Sequence, residues 1–136
     1  MFLFLIFTIT LFAQHPSGTL TINAVHFKNY QGNAVAYIFR ERDEMPKQPW
    51  KIENGKIIDG KSTIVFENIP FGAYAVILFH DENSNEVLDH KLFLPAEPMG
   101  FSNGWDLTLF SGMPSFEKLG FVFSEQLQEV TIAVEE

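Results

Sequence analysis

From Gly18 onward, apolar residues fall into short runs separated by turn-forming residues. Leu20, Ile22 and Ala24 alternate with Thr21 and Asn23, the period of a strand with one buried face. Val25 and Phe27 take the opposite phase, which predicts a bulge or a second buried face there. Asn33 to Arg40 (NAVAYIFR) and Ala73 to His80 (AYAVILFH) are apolar on both faces and rich in strand formers, as suits central strands of a layered structure. Ser62 to Glu67 (STIVFE) reads as a further strand. Asn68 to Gly72 closes it as a type I turn, with Pro70 presetting φ and Gly72 in fourth position. Val130, Ile132 and Val134 alternate with Glu129, Thr131 and Glu135, the cleanest half-buried strand of the chain.

Two stretches break this rhythm. Glu41 to Lys51 is charged and holds Pro46 and Pro49, so it reads as a long loop. Asp81 to Phe116 is rich in Asp, Asn, Gly and Pro, and only Trp105 to Phe110 within it reads as extended. Long irregular loops on a small domain tend to be functional or mobile. No segment has the length and period of an amphipathic helix, and no internal repeat is present. The pattern predicts an all-β chain folded as a single antiparallel β-sandwich of seven to eight strands.

The first residues belong to a different pattern. Met1 to Phe12 (MFLFLIFTITLF) is an uncharged apolar run of about a dozen residues, well short of the roughly 20 that span a bilayer as a helix. With small Ala13 before polar Gln14, residues 1–13 read as a cleaved signal peptide and 14–136 as the sandwich domain. An uncleaved N-terminal anchor is the competing reading, favoured by the missing basic n-region and by Leu11 three residues before the cut. Either reading places the domain outside the cytoplasm, in the periplasm or the extracellular space.

Composition narrows the chemistry. Without cysteine there is no disulfide framework, no thiolate metal site, no thiol nucleophile and no lipoprotein anchor after the apolar run. A net charge of −8 on 136 residues argues against nucleic acid and against an anionic membrane surface. No membrane insertion is expected once the signal is removed.

The sharpest local feature is Asp81-Glu82-Asn83-Ser84-Asn85-Glu86-Val87-Leu88-Asp89. Oxygen side chains recur at positions 1, 3, 5 and 9 as Asp81, Asn83, Asn85 and Asp89, and the Val87 carbonyl stands at position 7. Calcium takes six to eight oxygens, and one tight loop can supply several at this spacing. The loop is not an EF-hand: Glu86 replaces the glycine of position 6, Leu92 replaces the glutamate of position 12, and a strand precedes it. Two Asp ligands carry little charge, so the affinity expected is weak, roughly 10⁻⁴–10⁻³ M. The alternative is a polar turn whose Asn and Asp side chains cap their own backbone.

Other constellations are weaker. Gly100-Phe101-Ser102-Asn103-Gly104 matches the nucleophile-elbow pattern, but no histidine follows His90, so a triad in the usual order cannot form. His80 and His90 bracket the acidic loop as zinc-ligand candidates, and a strand-end histidine bonded to loop carbonyls is the more ordinary reading. Asp81 and Asp89 could serve as paired hydrolytic carboxylates, with His80 beside them, only if they converge in a cleft. Glu97, Phe101, Ser102, Asn103 and Trp105 are candidate contacts for a glycan or peptide, with Tyr30 and Trp50 as further aromatics.

One assembly of these motifs is distinctive. Ile69-Pro70-Phe71-Gly72-Ala73-Tyr74-Ala75-Val76, His80-Asp81-Glu82-Asn83-Ser84-Asn85 and Leu88-Asp89 are followed by Pro95-Ala96-Glu97-Pro98-Met99-Gly100-Phe101-Ser102-Asn103 and Pro114-Ser115-Phe116-Glu117. Together they resemble the bacterial secreted family known as domain of unknown function 2141 (DUF2141), from about Gly18 to Val134. The resemblance implies an Ig-like or prealbumin-like sandwich, similar to carboxypeptidase-regulatory-like modules, which mostly bind or space rather than catalyse. It also implies that the position of Glu86 is often glycine, a residue suited to a left-handed turn.

The functional expectation is an exported, non-enzymatic module with a weak calcium site at Asp81, Asn83, Asn85, Val87 and Asp89. The alternative is a module that binds a cell-envelope glycan or protein through the 100–105 loop and exposed aromatics.

Overall fold

The computed structural model describes residues 15–88, 90–91, 94–95 and 97–135. Its strands are β1 (Ser17–Val25), β2 (Asn33–Phe39), β3 (Lys51–Lys56), β4 (Ser62–Pro70), β5 (Gly72–Asp81), β6 (His90–Lys91), β7 (Leu94–Pro95), β8 (Met99–Phe101), β9 (Phe121–Phe123) and β10 (Leu127–Ala133). A single helical turn, α1 (Phe116–Leu119), and a 3-10 turn at Ser102–Gly104 are the described helical elements. One sheet has the order β10-β1-β4, and the other β3-β2-β5-β8 with β9 also paired to β5. These eight strands make the all-β sandwich that the hydrophobic pattern predicts. Pairing is antiparallel except along β1 and β10, which run parallel from Thr19 opposite Leu127 to Val25 opposite Ala133. The proposed signal peptide, residues 1–13, lies outside the described residues.

The alternation of side chains along β2 and β5 builds two cores instead of one. Ala34, Ala36, Ile38, Val76 and Leu78 face Leu20, Ile22, Ile64, Phe66 and Ile132 of the other sheet. Val35, Tyr37, Phe39, Ala75, Ile77 and Phe79 point to the opposite face. There they meet Leu88, Met99, Phe101 and Leu119, with Met45, Trp105, Leu107 and Phe116 around them. The long excursion after β5 is therefore a third layer, which explains why β2 and β5 are apolar on both faces.

Several local expectations give way to tertiary structure. β1 stops at Val25, and His26, at φ 70°, turns Phe27 back into the inter-sheet core where it is 7% exposed. The expected turn at Asn68 is instead a bulge: the β1–β4 register shifts between Gly18 and Leu20, and Asn68 takes φ 54° within β4. Pro70 ends β4 and Gly72 begins β5, so the reversal centres on Phe71. Trp105 to Phe110 is not a strand, and among the described residues the extended pieces of the excursion are β6, β7 and β8. The polar edge strand β3 and the three-residue β9 have too little alternation to be read from sequence.

The two sheets are joined at one corner. Met99 and Glu135 exchange backbone hydrogen bonds at 3.1 and 2.8 Å, bringing the residues just beyond β10 onto β8. Gly100 makes this approach feasible, because a Cβ there would lie 2.3 Å from the Ala133 carbonyl oxygen.

Candidate functional site

The acidic loop leaves the end of β5 on the face that carries the third layer. Asp81 is fully buried, and both of its carboxylate oxygens accept backbone N–H bonds from the loop it begins. Oδ1 accepts from Asn85 at 3.2 Å and Oδ2 from Glu86 at 2.7 Å. Asn83 Oδ1 accepts from the same Asn85 N–H at 3.3 Å, and Asn85 Oδ1 accepts from Val87 N–H at 3.0 Å. Asp81 and Asn83 thus present oxygens to one shared N–H, while Asn85 opens the next turn. The Val87 side chain is exposed. Asp89, the last member of the expected set, lies outside the described residues.

The backbone of this loop is strained in two places. Ser84 and Glu86 have φ of 56° and 57°, the left-handed region that costs an L-residue about 1–2 kcal/mol. Glu86 adopts the left-handed conformation for which glycine is suited. It is held there by Tyr37, whose hydroxyl donates to the Glu86 carbonyl at 2.8 Å, and by Asn54, whose side-chain amide donates to Glu86 Oε1 at 2.9 Å. Burial raises the pKa of the Tyr37 phenol above its ordinary value, outweighing a backbone bond at Leu88, and the negative charges of Asp81, Glu97 and Glu86 act in the same direction.

A second buttress comes from the β1–β2 connection. Gly32, at φ 65°, passes so close to the Asp81 carbonyl that a Cβ would lie 1.8 Å from its oxygen. Beside it, His80 Nε2 lies 2.7 Å from the Gln31 carbonyl. A carbonyl only accepts, so Nε2 carries the proton. His80 is buried with Phe27 edge-on at 5.3 Å, while Glu82 Oε1 lies 3.8 Å from Nδ1. Among the described residues, no three His, Asp or Glu side chains converge as a metal-holding group. The other donors of the expected calcium set are the side-chain oxygens of Asn83 and Asn85 and the Val87 carbonyl.

The 100–105 loop has a different character. Ser102 Oγ, 1% exposed, accepts from Val76 N–H at 2.9 Å and donates to the Leu119 carbonyl at 2.7 Å. On β5, Tyr74 pairs with Phe121 of β9 and Leu78 with Gly100 of β8. The Ser102 hydroxyl therefore fills the rung between two short strands and holds the end of α1 at the same time. Phe101 is buried against Trp105, ring centroids 4.8 Å apart, and Glu97 is buried as well. Asn103, exposed and at φ 60°, donates to the Lys118 carbonyl at 3.1 Å. Trp105 is half-buried, with Lys118 Nζ 5.5 Å from its ring centre.

The family model described as an uncharacterized protein conserved in bacteria, DUF2141, matches residues 22–131. The chain belongs to the DUF2141 family. No match was found among curated proteins or among solved structures. The matched span of this DUF2141 domain runs from within β1 to within β10 and includes both loops described above. No helix among its described residues is long and apolar enough to cross a membrane.

Sequence reading missed Tyr37 and Gly32 as supports of the acidic loop. Tyr37 is the one hydroxyl-bearing side chain in the otherwise apolar run of β2 after Asn33, a signal that its oxygen needs a buried partner. Gly32 follows Gln31 just before a strand, an ordinary turn signal that says nothing of a contact with Asp81.

Proposed function

We propose that this DUF2141 domain is an exported, non-enzymatic β-sandwich module whose Asp81–Asp89 loop is a weak calcium site. Asp81, Asn83, Asn85 and Asp89 would supply side-chain oxygens and Val87 its carbonyl. The observation that carries the reading is the shared Asn85 N–H, which draws the Asp81 and Asn83 oxygens to one side of the turn. A carboxylate oxygen that accepts one N–H keeps a second lone pair for a cation. Calcium there offsets the repulsion of a loop that carries Asp81, Glu82, Glu86 and Asp89 within nine residues, and ties the third layer to the end of β5. Support for a non-enzymatic role comes from His80, Asp81 and Ser102, which are buried and bonded to backbone groups. Support for export comes from the apolar run Met1–Phe12.

Thermal unfolding after EDTA treatment, then in 10 mM calcium, magnesium or zinc, tests the reading. At roughly 10 to 100 times the dissociation constant, calcium adds about 1.4–2.7 kcal/mol. That is a rise of several degrees in Tm. The rise should be absent in Asn83→Ala and Asp89→Ala, which leave the two Asp81 bonds in place. An equal rise in these variants, or none with any metal in the wild type, refutes the calcium site.

A further inference from the structure

We draw no further inference here: the strongest candidate, the surface patch of Leu109, Phe110 and Met113 on the turn between Trp105 and α1, carries none because nothing in the structure shows what covers it.

Discussion

Replacing Ser102 with alanine removes one oxygen and strands two backbone groups. Val76 N–H and the Leu119 carbonyl both lose their partner in a place that is 1% exposed. Alanine is smaller than serine, so no side chain has to move, and the alanine methyl offers neither group a replacement. A buried donor or acceptor left unpaired costs about 1–3 kcal/mol, so the pair sets the loss at roughly 2–4 kcal/mol after the hydroxyl's own desolvation is recovered. For a domain of about 120 residues this lowers Tm by roughly 10–15 °C. The assay is urea unfolding followed by tryptophan fluorescence and by circular dichroism, with Ser111→Ala as the reference. Ser111 makes as many bonds but is half exposed at a turn, where water replaces them, so its loss should stay within about 0.5 kcal/mol. A Ser102→Ala loss no larger than that of Ser111→Ala would refute the reasoning. It would mean that the β5 rung is filled some other way and return Ser102 to the ligand-contact role first read for it.

Gly32→Ala places a Cβ 1.8 Å from the Asp81 carbonyl oxygen at a φ of 65° and should cost about 3 kcal/mol or more, seen as a lower urea midpoint with an unchanged slope. The Tyr37 phenol, raised by burial, is favoured by folding in its neutral form. Its contribution is intact below about pH 10 and is lost as pH rises through the higher folded-state value. Thermal melts between pH 8 and 11.5 should therefore fall less steeply in Tyr37→Phe than in wild type. Tyr74, raised by burial in the same way, keeps part of the slope.

Much of the sandwich was legible because its main strands bury one or two full faces. Leu20, Ile22 and Ala24 alternate against Ile64 and Phe66 across β1 and β4, and β2 and β5 announce two cores by having no polar phase. What was not legible was set by contacts between distant segments. The bulge at Asn68 exists because β1 and β4 must keep register on both sides of it, and no residue near Asn68 encodes that requirement. The parallel course of β10 is likewise invisible in its own alternation, which is the same for either direction. At the candidate site, Asp81, Asn83 and Asn85 lie in one loop, as their spacing alone requires. What the spacing does not encode is that the Asp81 and Asn83 oxygens share the Asn85 N–H, while Asn85 Oδ1 takes the Val87 N–H of the next turn. Ser102 carried a catalytic-looking motif, yet the hydroxyl is a splice between β8 and β9 because both strands are too short to reach each other along β5.

The parallel pairing of β1 with β10 also governs the order in which the molecule can be completed. β1 lies in the middle of its sheet, yet one neighbour is made only after β2 and β3, and the other follows all the other described strands. A ribosome-bound chain that lacks β10 therefore shows an open strand edge from Thr19 to Val25, with Leu20 and Ile22 only partly covered. Such an edge is sticky, and closing it waits on loops that span nearly the whole polypeptide. Synthesis of β10, and not emergence of any earlier strand, is then the event that closes the β1 edge.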